Sequence, residues 1–184
     1  NGDTHFPVLS ETWHELSREH VSSDKKNHYD CDFVSYQRGY KYIDLTKARS
    51  AEQYEQFRRI DIERECPFYP DAIESASAEE MNVVAQGQYW TVIKNMIPYA
   101  NTDSHLVLIA HDHVEKPEDL TPESWADLHT VISEYTRDLP YGGIALRFGD
   151  FTHTGASVAH LHVHIIKPED DLDEGAKVKF KISR

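Results

Sequence analysis

The chain has 184 residues, and its 32 Asp and Glu outweigh its 19 Lys and Arg, giving a formal net charge of −13 with histidine neutral. A chain of this length buries roughly 70% of the surface its unfolded form exposes, so one compact domain can stand on packing alone, without a disulfide or a structural metal. The acidic balance excludes a general binder of polymeric nucleic acid or of anionic membrane, both of which need a positive face. Screening over about 8 Å still leaves room for a local pocket that takes a small phosphorylated ligand.

Cys31 and Cys66 belong to no Cys-x-x-Cys pair, so no disulfide framework or four-cysteine zinc site is expected, and a reducing, cytoplasmic compartment fits. No apolar run approaches the roughly 18 residues of a membrane helix, and the first 30 residues or so are too polar for a signal peptide, so no membrane partner is expected.

From Phe6 to Asp32 the chain is polar, with Trp13 and Leu16 as its main apolar anchors and a surface loop at residues 22–27, which reads as a peripheral extension. Residues 33–43 alternate in part around a polar, glycine-containing centre and predict one or two strands. Ser50 with Gln53 three residues on forms a capping-box pattern, and Ala51, Tyr54, Phe57 and Ile60 recur at helical spacing up to Arg64. Residues 88–96 and 105–110 read as central strands of one sheet. Thr121-Pro122-Glu123 supplies an N-cap, a proline at the first helical position and an acidic first turn, and Trp125, Leu128, Ile132 and Tyr135 mark one apolar face before Pro140. Gly142-Gly143 introduces a strand over 144–148, residues 157–167 form the last strong strand, and 178–182 alternate like an edge strand whose lysines face water.

His160-Leu161-His162-Val163-His164-Ile165-Ile166 is the most informative stretch. In a strand, successive side chains point to opposite faces, so the three imidazoles share one face about 6.5 to 7 Å apart while Leu161, Val163 and Ile165 face a core. The residues alone leave three readings open. The imidazoles could be solvated or hydrogen-bonded structural groups. A His-x-His pair could hold a metal with a third ligand from elsewhere. Or the row could be a built reactive surface. His111 and His113, with His153, are a further metal candidate, although a solvated loop fits their position after a strand better.

The seven-residue stretch resembles the His-φ-His-φ-His-φ-φ signature (φ hydrophobic) of the histidine triad (HIT) superfamily of nucleotidyl hydrolases and transferases. The likeness extends upstream to residues 154–159 and to Asn95-Met96-Ile97-Pro98-Tyr99 with 105–109, covering roughly residues 65–168. It implies an α+β domain with an antiparallel sheet of about five strands and helices packed on one side. Residues 61–184 would form the catalytic domain, and 1–60 an N-terminal extension packed on or preceding it.

The resemblance makes His162 the nucleophile at the α-phosphate of a dinucleoside polyphosphate or nucleoside phosphoramidate, through a nucleotidyl-histidine intermediate. His160 and His164 flank it, and His105 would brace His160. Ser157 with the turn Gly155-Ala156-Ser157 would hold phosphate or leaving-group oxygens, Asn95 would contact ribose or phosphate, and Ile97 would line the base pocket. A phosphorylase or nucleotidyltransferase of the same superfamily is the alternative enzyme. A non-catalytic nucleotide-binding or histidine-metal-binding protein is the alternative from another class. No cofactor is expected beyond a divalent cation carried on the substrate, and family analogy implies a homodimer.

Three departures stand out. Relatives of the transferase, phosphorylase and zinc-containing kinds carry Cys-x-x-Cys where this chain has Cys66-Pro67-Phe68-Tyr69, so no structural zinc is expected. The segment between Tyr99 and His105 is longer than usual and lacks the glycine before the histidine. Gly149 stands where many relatives have Asn or Gln, with Asp150, His153 and Thr154 as nearby substitutes.

Overall fold

In a computed structural model, residues 13–39, 41–76 and 81–182 are described; Phe6 of the expected extension and Tyr40 of the 33–43 strand region lie outside these. The chain divides into two compact units, Asn1–Lys41 and Tyr42–Arg184. Residues 42–60, read from sequence with the extension, therefore belong with the larger unit. The reason is packing: Ile43 and Phe57 are buried with Cys66 and Val158.

The smaller unit is a hairpin of β1 (Trp13–Val21) and β2 (Cys31–Arg38), with a register shift between Glu15 and Ser17. One face carries a charge network in which Arg18 pairs with Glu15 and Asp32, and His20 contacts Asp32. Phe33 and Leu16 remain 64% and 63% exposed. The polarity of β1 hid it from a periodicity reading; its bulge breaks the alternation on which that reading depends.

The larger unit is built on a five-stranded antiparallel sheet in the order β3-β4-β5-β7-β6. Its strands are β3 (Val83–Gln86), β4 (Trp90–Lys94), β5 (Thr102–Ala110), β6 (Gly143–Leu146) and β7 (His162–Pro168). Register assigns the faces. Leu108 pairs with Val163 and with Val92, and Trp90 pairs with Ala110. These side chains form the main core under α3 (Pro122–Thr136), which contributes buried Leu128 and, through the Ser124 carbonyl, a partner 2.9 Å from the Trp90 indole nitrogen. On the opposite face Val107 pairs with His164 and Ile109 with His162. There Ile73 of α2 (Pro70–Ser75) packs with Ile93, Val107 and Ile109, leaving the histidines at the rim of a smaller apolar cluster.

Local signals are met where they were strongest. Helix α1 (Ala51–Glu63) starts at Ser50, whose Oγ accepts the Gln53 N–H at 3.1 Å, while Gln53 Oε1 accepts the Arg49 N–H at 2.7 Å. Thr121 caps α3 through the Ser124 N–H at 3.1 Å. Gly142 is required by closeness, since a Cβ there would sit 2.8 Å from the Ile166 carbonyl oxygen. The expected last strand begins later than the pattern: residues 157–161 are irregular, joined to the strap before α1 by an isolated bridge between Ile43 and Val158. Residues 178–182 form no strand, and Arg147 takes the Lys181 carbonyl that a sheet edge would have used.

Leu108, fully buried between strands and α3, is the residue on which this core should depend most visibly. Leu108→Ala is expected to lower unfolding free energy by about 3 kcal/mol. Leu16→Ala in the hairpin, at an exposed site, should leave the main urea transition within about 0.5 kcal/mol of wild type.

Candidate active site

Strand β7 is buried along nearly its whole length and presents His162 and His164 on the face opposite the α3 core. Their ring centroids lie 5.0 Å apart. Both line a cavity of about 620 Å³, together with Asn95, Ile97, Gly155 and Ser157. Ala156 is buried outside that cavity, and its N–H points at Thr154 Oγ1 at 3.4 Å. His105 and His160 are also buried, and they reach the site as partners of other groups rather than as cavity lining.

Hydrogen bonds give each histidine a different role. His162 Nδ1–H donates to the His160 carbonyl at 2.6 Å, which fixes the tautomer and leaves Nε2 as the lone-pair nitrogen, engaged by no hydrogen bond among the described residues. His160 lies just before the strand; its Nε2–H donates to the Ala110 carbonyl at 2.7 Å and its Nδ1 accepts the Cys66 S–H across 3.3 Å. From the sequence, His105 is expected to brace His160; it meets His164 instead. Its Nε2 lies 2.8 Å from His164 Nδ1, because His105 pairs with Ile166 on β7 and so stands diagonal to His164, whose direct partner is Val107. Asn95 spends its carboxamide on the Ile97 N–H (3.0 Å) and on the His105 ring (3.3 Å).

Burial keeps these imidazoles neutral. It pushes His162, His160 and His105 down to about 4, with the Arg147 charge adding to the effect at His162 and His105. His164 falls well below the usual histidine range, through burial first and then through its neighbours His162, His105 and Arg147. The Cys66 thiol is pushed up to about 11 by burial, consistent with its role as S–H donor.

The sequence did not point to three features. Arg147 is buried at the cavity wall, 9% exposed, with Nη2 donating to Tyr99 Oη at 3.1 Å and Nη1 3.4 Å from His164 Nε2. Arg49 reaches the same wall, its Nη2 donating to the Ile97 carbonyl at 2.7 Å. Lys179 and Lys181, expected on an edge strand facing water, line the cavity mouth.

His111 and His153 do not join His113 in a metal site. His111 is held by Thr91 Oγ1 and the Gln88 carbonyl, both at 3.0 Å, and His153 pairs with Asp150 at 2.8 Å. Gly149, Asp150, His153 and Thr154 all lie outside the main cavity lining, so none of them replaces the missing Asn or Gln there. His113 instead stands with Cys66 and His160, their ligand atoms within 4.8 Å of one another, and His113 Nε2 is buried without a hydrogen-bond partner. These three are the described residues whose ligand atoms come close enough to hold a metal ion, although here the Cys66 S–H is engaged by His160 Nδ1 and His160 Nε2–H by the Ala110 carbonyl.

Comparison with known proteins gives the family. Residues 70–179, more than half of the chain, match the family described as "Scavenger mRNA decapping enzyme C-term binding". The chain belongs to that family, within the histidine triad superfamily of nucleotide hydrolases and transferases. Similar solved structures include a histidine triad protein from Clostridium difficile, with 18% identity, TM-score 0.40, and coverage of 50% of this chain and 83% of that one. Another is a histidine triad nucleotide-binding protein from Candida albicans, with 15% identity, TM-score 0.41, and coverage of 54% and 78%. A third is a diadenosine triphosphate hydrolase from Plasmodium falciparum, with 21% identity, TM-score 0.38, and coverage of 49% and 63%. A different likeness joins 39 residues, 21% of the chain, to "Dihydrofolate reductase type 3" of Salmonella typhimurium at 54% identity. The chain spans about a quarter (24%) of the length of that curated relative.

The lowered histidine values set the acid limit of stability. Above the unfolded value of about 6.5 neither state takes protons at these rings; below it the unfolded chain takes protons that the folded chain refuses, down to about 4. The urea midpoint should therefore be level above about pH 7 and decline as pH falls from 6.5 to 4, and His164→Gln should shallow that decline. A midpoint that rises on acidification would contradict this assignment.

Proposed function

We propose that this protein is a nucleotidyl hydrolase acting at the α-phosphate of a nucleotide derivative, with His162 as nucleophile. The observation that carries this reading is the fixed tautomer of His162: Nδ1–H is committed to the His160 carbonyl, so a bare Nε2 lone pair belongs to a ring lining a cavity large enough for a nucleotide. Nε2 attacks the α-phosphorus in line and forms an N–P bond. The bond from phosphorus to the leaving group breaks, P–O in a polyphosphate and P–N in a phosphoramidate, and the leaving oxygen or nitrogen departs with the electron pair and takes up a proton from solvent. Water then attacks the same phosphorus, the N–P bond breaks, the lone pair returns to Nε2, and the water proton passes to solvent. Ser157 and the Gly155 turn line the cavity on the side where they could meet phosphate oxygens.

The test is incubation with α-³²P-labelled dinucleoside polyphosphate and nucleoside phosphoramidate, with and without inorganic phosphate. Acid-labile label on the wild type, released into water, is the expected outcome, and His162→Ala should lower turnover by roughly 10⁴-fold or more. Release only with phosphate would make the protein a phosphorylase. Tight nucleotide binding with no label transfer would make it a binding protein.

We also infer that the smaller unit is a strand pair of a reductase-type fold. The family match spans residues 70–179 and leaves 69 residues before it and 5 after it, room for the 39-residue stretch with 54% identity to a dihydrofolate reductase on the N-terminal side, where we place it. The hairpin lies there, and a two-stranded hairpin on its own is marginal in water. Its exposed Phe33 and Leu16 suit burial against further strands. If this holds, the whole chain, mixed with the Salmonella typhimurium enzyme lacking the corresponding 39 residues, should restore dihydrofolate reduction, whereas residues 42–184 should not. Equal results from the two would remove the inference.

A further inference from the structure

We propose that Arg147 and Arg49, joined through Tyr99, form an anion clamp that holds the phosphates beyond the scissile one, selecting a polyphosphate chain over a phosphoramidate without further phosphates. This rests on the hydrolase reading of the same site and adds to it which residues choose the leaving group.

Among the described residues, the cavity lining contains Lys47, Arg49, Arg147, Lys179 and Lys181 and no Asp or Glu. In a chain with 32 acidic and 19 basic residues, a wall whose described residues include five cations and no carboxylate is a built local inversion of sign. Arg147 carries the strongest signal. It is nine-tenths buried, and its partners among the described residues are all uncharged: the Lys181 carbonyl at 2.8 Å, the Tyr99 hydroxyl at 3.1 Å, the His164 ring at 3.4 Å and the Phe180 face with its centroid at 3.7 Å. A guanidinium is always charged, and burying one without a counter-ion is costly unless an anion arrives.

A count of protons points to the same place. The pair His105–His164 is flanked by two unconditional donors, the Tyr99 backbone N–H at 3.3 Å from His105 Nδ1 and Arg147 Nη1 at 3.4 Å from His164 Nε2. Two neutral rings carry two N–H groups, and the 2.8 Å contact between them uses one. The other N–H must face one of the flanking donors. If the Tyr99 amide donates to His105, then His105 Nε2–H donates to His164, and His164 Nε2–H is left pointing at Arg147. Two donors then converge with no acceptor between them, and a phosphate oxygen supplies one.

Arg49 lies outside the family match, on the strap before α1, with its guanidinium carbon 5.6 Å from the Tyr99 ring centroid. Tyr99 stacks near His105 at 4.7 Å and near His164 at 5.9 Å, so the two arginines address one ring that also touches the histidine pair. The strap is anchored at Asp44, whose N–H donates to the Ser157 carbonyl at 2.9 Å. Arg49 is thus tied to the turn that leads into the triad.

The experiment measures kcat/KM for a dinucleoside triphosphate and for a nucleoside phosphoramidate in wild type, Arg49→Met, Arg147→Met and Arg147→Lys, together with binding of inorganic tripolyphosphate by calorimetry. Each Met variant should lower the triphosphate-to-phosphoramidate ratio by roughly 10- to 100-fold and weaken tripolyphosphate by a similar factor, with Arg147→Lys recovering part of both. Arg49 is exposed, so its variant reports on the clamp even if Arg147→Met fails to fold. Equal loss on both substrates, or tripolyphosphate binding unchanged in Arg49→Met, would overturn the clamp. Absence of turnover on either substrate would overturn the hydrolase reading instead, and the tripolyphosphate measurement would then decide the clamp alone.

Discussion

The pairing of β5 with β7 in one register governs everything else in the larger unit. Val107 opposite His164 and Leu108 opposite Val163 place imidazoles on one face and core on the other. A slip of one residue would carry every histidine under α3 and every aliphatic side chain into the cavity. The register is held by the apolar set itself, since Leu161, Val163 and Ile165 are each nearly inaccessible in the α3 core. The reactive surface is positioned by residues that never touch it, and the stability of that core is the condition for the site.

The histidine row was legible because strand alternation is a local property, and so were α1, α3 and the two central strands, whose caps and apolar faces lie within a few residues of one another. What could not be read depends on contacts distant in sequence. The Cys66–His160 bond joins residues 94 positions apart and Arg147–Tyr99 joins residues 48 apart. The orphan nitrogen of His113 becomes meaningful only when the 66–69 strap is folded against it. Lys179 and Lys181 alternate as an edge strand would, yet Arg147 captures the Lys181 carbonyl and turns that segment across the cavity mouth. Short β3 and the bulged β1 lacked the repeats that give a period any weight.

Charge has two scales in this chain. The overall −13 describes an outer surface that repels polyanions with extended backbones, while the described residues of the cavity wall are cations and neutral groups. At about 8 Å of screening the two fields are nearly independent. The excess of acid outside works against non-specific occupation by nucleic acid without weakening attraction inside, where low dielectric and exclusion of water make each guanidinium count for more.

The three triad histidines are identical as residues and distinct in chemistry, because the partner each ring meets, a backbone carbonyl for His162 and His160 and another imidazole for His164, decides which nitrogen is free. His162 gives its Nδ1 proton to the carbonyl of His160, two residues back; His160 gives its Nε2 proton to Ala110; His164 shares a proton with His105. The pleat brings His162 and His164 to one face, and the irregular 157–161 segment turns His160 aside to meet Cys66 instead of the cavity. The same substitution in each would therefore remove a different thing: a lone pair at His162, an anchor for the strap at His160, and one end of a proton-sharing pair at His164. Division of labour within the motif follows from where β7 begins, and β7 begins at His162 because Leu161 spends its N–H on the Val114 carbonyl rather than on the sheet.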